Sequence, residues 1–257
     1  MSRPDVVVHA TAEVLAAATA ARLSTQIVNL QTASGSASLV LTGGGIGIAV
    51  LRELASTQAA TAVDWQGLDI YWGDERFLPS GHPERNETQA REALLDHVGV
   101  DPDRVFPMGA SDGRWGDDPD AAAHAYEELL LSRRRPEDHG PAPSFHICLL
   151  GIGEDGHVAS VFPSSPAVYE TERAVIAVRG SPKPPPTRIT LTLPAIHCAT
   201  EVWLIASGPA KAAAVTMALR GGGEISVPAA AAVGRRRTLW LLDRAAAAKL
   251  PPDLLPR

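Results

Sequence analysis

The chain has little cysteine, no excess of basic residues and no long apolar run. Its two cysteines, Cys148 and Cys198, build neither a disulfide framework nor a zinc site. Cys148 lies in an apolar run, where a buried free thiol is the default. With 23 Lys and Arg against 29 Asp and Glu, the net charge is −6, which argues against non-specific binding to nucleic acid. No segment approaches the roughly 20 apolar residues of a membrane span. Met1-Ser2-Arg3-Pro4-Asp5 lacks the apolar core of a signal peptide, so a cytoplasmic protein is expected. Nothing points to an obligate protein partner.

What is present is ordinary for a soluble globule: 45% hydrophobic and 20% charged residues in 257. That is long enough for a sizeable core, and no linker is long enough to divide it, so one domain over residues 1–257 is expected. The only tight basic runs are Arg133-Arg134-Arg135 and Arg235-Arg236-Arg237. Pro136 follows the first, which reads as a solvated helix end.

Strand and helix signals alternate. Strands are expected at Val6–Val8, Ser38–Leu41, Leu68–Trp72, Phe145–Leu150, Ala174–Val178, Glu201–Ala206 and Thr238–Leu242. Helices are expected from a Thr11 cap to about Ala33, from Gly47 to Ser56, from an Asn86/Gln89 capping box to His97, from Asp120 to Leu131, and from Pro209 to Leu219. The strands are continuous apolar runs, as in a parallel sheet covered on both faces. This predicts an α/β, three-layer αβα sandwich with a mostly parallel, Rossmann-like sheet. Ser181-Pro182-Lys183-Pro184-Pro185-Pro186 reads as extended polyproline-like backbone. The alanine runs Ala229–Ala232 and Ala245–Ala248 read as helix formers without chemistry.

Chemistry gathers where strands end. The most informative stretch is Gly151-Ile152-Gly153-Glu154-Asp155-Gly156-His157, after an apolar strand. Gly151, Gly153 and Gly156 satisfy the dinucleotide pattern G-x-G-x-x-G. Glu154 and Asp155 inside the loop would repel a pyrophosphate, however, and Pro163 stops the segment before a long helix forms. His157 is the candidate general base. Asp155 either orients its imidazole or stabilises the Asp-Gly turn. Thr42-Gly43-Gly44-Gly45 is either a phosphate cradle at a helix N-terminus or a tight turn needing glycine. It lacks the Lys-Ser/Thr of a P-loop. After another strand, Asp74-Glu75-Arg76 is either a solvated loop or a site in which Arg76 holds a phosphate or carboxylate, a neighbouring acid keeping it in place. Arg188 and Lys211 each read singly as surface charges, but with the cradle they suit a phosphate dianion. No third ligand lies at metal-binding spacing from the acid and histidine.

In order along nearly the whole chain, these motifs resemble the 6-phosphogluconolactonase family, within a superfamily that includes glucosamine-6-phosphate deaminase. They are Thr42–Gly45, Trp72–Arg76 with Asn86 downstream, Leu150–Pro163, Arg188–Thr192 and Ser207–Lys211. The resemblance implies a Rossmann-like sandwich, no cofactor or metal, and a small phosphorylated sugar lactone as the sole partner. It implies hydrolysis of 6-phospho-D-glucono-1,5-lactone to 6-phospho-D-gluconate, the second step of the oxidative pentose phosphate pathway. His157 would take a proton from the attacking water. Gly43, Gly44, Gly45, Arg188 and Lys211 would hold the phosphate, and Arg76 would clamp substrate or stabilise the oxyanion. Asp74 is assigned to substrate binding, while Arg179 or Lys183 is a further candidate for the phosphate. The rival readings are a deaminase and a non-catalytic sugar-phosphate sensor. In the deaminase branch a tyrosine follows the Asp-Glu and a further glutamate follows the histidine. Here Arg76 takes the first place, and no acid occurs from Val158 through Tyr169. A sensor would normally carry a DNA-binding domain, for which nothing before Val6 provides.

Overall fold

Thr11 opens the first helix as its residue type predicts, its hydroxyl accepting the Val14 N–H at 3.3 Å. Apolar residues Leu15, Leu23 and Ile27 recur on the buried face of that helix. The computed structural model describes residues 5–255; Met1 to Pro4, read above for a leader, lie outside that range. The elements in order are β1 (Asp5–His9), α1 (Ala12–Ser34), β2 (Ala37–Leu41), α2 (Gly44–Ser56), β3 (Leu68–Trp72), β4 (Asp74–Arg76), α3 (Asn86–Ala90), α4 (Pro119–Ser132), β5 (Ile147–Gly151), β6 (Val175–Val178), β7 (Arg188–Leu191), α5 (Leu193–Ile196), β8 (Glu201–Ala206), α6 (Ala212–Leu219) and β9 (Arg237–Asp243), joined by loops and short 3₁₀ turns. Among the described residues no helix is long and apolar enough to cross a membrane.

Six strands form a parallel sheet in the order β1-β9-β8-β5-β2-β3. Alternate residues along each strand enter different cores. Leu39, Leu41, Leu149, Trp203 and Leu241 pack with α1 and α2. Val40, Cys148, Leu150, Leu204 and Leu242 pack with α4, α5 and α6. Both faces are covered, giving the expected three layers.

Not every expected element has the expected place. β6 does not join the parallel sheet; it pairs antiparallel with β7, which pairs antiparallel with β4, in a separate three-stranded sheet. The motifs Asp74-Glu75-Arg76 and Arg188–Leu191, read for their charges, are its other strands. Asn86 is not a cap. Arg85 occupies that position, α3 ends at Ala90 in a π-helical turn, and the Gln89 amide bonds the Pro83 carbonyl at 2.9 Å. The cap comes from elsewhere: Glu75 accepts the N–H groups of Asn86 (2.7 Å) and Glu87 (2.8 Å). The proline segment is not extended, since Ser181 N–H bonds Pro186 O at 2.9 Å. The reason is Arg188, whose guanidinium gathers the carbonyls of Lys183, Pro184 and Pro185 at 3.1–3.2 Å. The alanine runs form a 3₁₀ turn at Pro228–Ala230 and turns at 244–249 rather than α-helices.

Glu75 is buried, and burial lifts its carboxyl to about 7 from an ordinary 4.5, against the opposing pull of Arg85 and three backbone donors. Its folded value lies above its unfolded one, so the folded state takes up a proton. Its contribution to stability is present at low pH and declines as pH rises from about 4.5 through 7. Glu75→Gln is expected to flatten that part of the stability–pH curve, read by urea unfolding at several pH values. A slope unchanged in the variant would refute the assignment.

Candidate active site

β2 and β5 are neighbours from which the chain departs in opposite directions, β2 towards β3 and β5 towards β8 and β9. The crevice beyond the carboxyl ends of such a pair is where open parallel sheets bind ligands. The Gly43–Gly45 loop follows one strand and the Gly151–His157 loop the other. They are tied together where they start, Gly151 N–H donating to Thr42 Oγ1 at 3.1 Å. A cavity of about 380 Å³ opens there. Of the residues singled out from sequence, Gly43, Gly44, Gly45, Asp74, Arg76, His157, Arg188 and Lys211 line it. Asp155 does not line it but contacts His157, which does.

His157 Nδ1 lies 2.5 Å from Asp155 Oδ1. With Nδ1 occupied, the ring offers Nε2, which has no protein partner among the described residues. The imidazole is 15% exposed and packs on Phe162 with centroids 4.4 Å apart. Burial alone would raise the Asp155 carboxyl, but the hydrogen bond and charge of His157 outweigh it and hold the group well below the usual carboxylate range. The same Oδ1 also accepts the His157 backbone N–H at 3.3 Å, so both the imidazole contact and the turn contact are present. The loop is closed by Gly153 N–H to His157 O (2.9 Å) and braced by Ala229 N–H to Gly156 O (2.9 Å). Asp155→Asn is expected to lower kcat roughly 10–100-fold, less than His157→Ala does, with KM little changed. A KM effect alone would make Asp155 a turn residue only.

The helix after Gly43 starts three residues earlier than its apolar pattern indicates. Gly44 and Gly45 stand in the first turn of α2, which has no side-chain cap and contains no acidic residue. Both line the cavity, and the free N–H groups and dipole of a helix start suit an anion there. Gly43 has to be glycine because a Cβ there would overlap the Asn86 amide.

Lys211 and Lys183 bring two ammonium groups to the same cavity. Neither has an acidic partner within 4 Å among the described residues. Burial and then the neighbouring Lys183 push Lys211 below its ordinary value, a cost that a bound dianion would offset. Lys183 therefore joins the lining. Arg179 does not; it is exposed and paired with Asp120. Glu154, for which sequence offered no role, is exposed at the loop tip.

Two expectations are corrected. No neighbouring acid holds the Arg76 guanidinium: its Nη1 donates to the Glu84 carbonyl at 2.5 Å, while Glu75 accepts the Arg76 backbone N–H at 2.7 Å. Its Nε is buried without a protein partner, and Nη2 also has none among the described residues. Asp74 and Arg188 are less available than their types indicate. Asp74 accepts from Ser160 Oγ at 2.6 Å and Asn86 Nδ2 at 3.2 Å, and its Oδ2 lies 3.8 Å from Arg188 Nη1. Ser160, which charge and spacing did not single out, and Asn86, read above as a cap, hold the Asp74 carboxylate. Among the described residues no group of three His, Cys, Asp or Glu is arranged to hold a metal ion.

The model of a family described as glucosamine-6-phosphate isomerases/6-phosphogluconolactonase matches residues 10–240. The chain belongs to that family. Within the glucosamine-6-phosphate isomerase/6-phosphogluconolactonase family, it is 60% identical to the 6-phosphogluconolactonase of Streptomyces coelicolor over 98% of this chain and 97% of that one. It is 55% identical to the 6-phosphogluconolactonase of Mycobacterium tuberculosis over 93% and 95%. The solved 6-phosphogluconolactonase of Trypanosoma brucei superposes with TM-score 0.84 at 29% identity, covering 98% of this chain and 100% of that one. A monomeric glucosamine-6-phosphate deaminase superposes with TM-score 0.77 at 24% identity over 95% and 99%, which speaks for the shared fold alone.

Proposed function

We propose that this chain hydrolyses 6-phospho-D-glucono-1,5-lactone to 6-phospho-D-gluconate, in the cytoplasm, as the second step of the oxidative pentose phosphate pathway. The observation that carries the reading is one cavity holding an oriented imidazole and a separate cationic cradle. Relatives named 6-phosphogluconolactonase at 55–60% identity support it.

The phosphate sits on the Gly44 and Gly45 N–H groups with Lys211 and Lys183, and anchors a substrate whose reacting carbon lies some distance away. His157 Nε2 takes a proton from water as its oxygen attacks C1. The carbonyl π pair moves onto the oxygen, and Arg76 offers Nη2 to that oxyanion. As the tetrahedral intermediate collapses, the ring C–O bond breaks and His157 returns the proton to the leaving oxygen. Asp155 holds the imidazole in the tautomer with Nε2 free and stabilises the imidazolium between the two transfers. Arg188 shapes the proline turn that delivers Lys183. A base of this kind contributes about 10²–10⁴-fold, or roughly 3–5 kcal/mol of barrier.

The test is hydrolysis of freshly generated 6-phosphogluconolactone against a no-enzyme blank, because the lactone opens unaided. Turnover above the blank, with none of glucosamine 6-phosphate, is expected. Turnover of glucosamine 6-phosphate instead would move the chain to the deaminase branch, and binding of both without turnover would make it a sensor.

A further inference from the structure

The two basic runs of the sequence, far apart in the chain, meet at one place. Arg133 and Arg135 from the first and Arg235 from the second line a cavity of about 330 Å³. Ser38, Asp69, His146 and Thr200 place it at the amino ends of β2, β3, β5 and β8. It shares no residue with the candidate active site at the carboxyl ends.

Its three arginines are exposed, and among the described residues only the Arg235 guanidinium donates a hydrogen bond, to Ser144 Oγ. Among the described residues none of the three guanidiniums has a carboxylate within 4 Å. Two of the three acids on the wall already have partners: Asp69 takes Arg104 Nε at 2.8 Å, and Asp138 accepts the Arg135 backbone N–H at 2.7 Å. The third, Glu137, is exposed. The Arg133 guanidinium carbon lies over the Phe106 ring, 4.3 Å from its centroid. That ring in turn stacks on Tyr71 at 4.8 Å, so this wall is pre-organised. Arg235 donates to Ser144 Oγ at 2.6 Å.

Two further groups face the same space. Tyr71 lines the cavity, and its hydroxyl has no protein partner among the described residues. His146 Nδ1 accepts the Ser38 N–H at 3.0 Å. That bond assigns the ring proton to Nε2, which is then a donor with no protein acceptor among the described residues. Three guanidiniums, an imidazole N–H and a phenol offer more donors than one carboxylate can accept, and match the three oxygens of a phosphate group.

We propose that this cavity is a second anion site, which binds a small phosphate-bearing metabolite. The probe is inorganic pyrophosphate, titrated into the full chain while backbone amide signals are followed by NMR. Saturable shifts are expected at Ser38, His146 and Thr200, separately from those at Gly44 and Gly45. The double variant Arg135→Gln/Arg235→Gln is expected to weaken the first set at least about tenfold. The second set and the turnover measured without pyrophosphate should stay as in wild type. Shifts confined to Gly44 and Gly45 would overturn the proposal, as would a Ser38 and His146 response unchanged in the folded double variant. Tighter binding of citrate than of pyrophosphate at those amides would overturn the phosphate class.

Discussion

His157→Ala is expected to reduce lactone hydrolysis by at least about a hundredfold once spontaneous opening is subtracted, with KM little changed. The phosphate cradle contains no part of His157, so substrate should still bind while proton transfer is lost. The imidazole makes no hydrogen bond to the core; its side-chain partner is Asp155 in the same loop. The variant is therefore expected to unfold at close to the wild-type temperature. Steady-state kinetics with a no-enzyme blank decide the matter. Activity equal to wild type would remove His157 from the reaction and with it the proposed chemistry.

Gly153→Ala is expected to cost nearly as much, about a hundredfold, without removing any functional group. A Cβ at this position would overlap both the His157 ring and the Asp155 carboxylate. One must move, and the Nδ1–Oδ1 bond of 2.5 Å cannot survive in place. The control is Gly151→Ala in the same loop, where a Cβ would meet Thr42 Oγ1 at an ordinary 3.7 Å and activity should be largely kept. Thermal unfolding of both variants separates a displaced base from a loosened fold. A fully active Gly153→Ala would mean that the imidazole works from another position.

How much of this was legible beforehand depended on the range of the interactions concerned. The parallel sheet is written in continuous apolar runs, because its central strands are buried on both sides and leave few residues with a solvent face to mark. The small sheet was hidden for the converse reason. Asp74-Glu75-Arg76 and Arg188 carry charges that read as loop, and only pairing across the chain makes strands of them. The ends of helices proved equally non-local: α3 is capped by Glu75, eleven residues before the Asn86 N–H it accepts, which a capping pattern of adjacent residues cannot express. In the site, the residue types that carry charge were found from sequence, but their allegiance was not. Arg188 serves proline carbonyls, Arg76 leans on the Glu84 carbonyl, and Ser160, silent in sequence, holds Asp74.

Asp155 and His157 lie two residues apart in one loop, which also closes on itself through Gly153. In many acid–base sites the partners arrive on separate segments, so any shift of the scaffold misaligns them. Under the proposed chemistry, the proton acceptor and its orienting carboxylate here belong to one hydrogen-bonded loop. A disturbance elsewhere in the molecule would translate that loop towards or away from the lactone without altering its internal geometry. The surrounding architecture would thus govern reach, while the pairing of imidazole and carboxylate is set within the loop, and selection could act on the two independently.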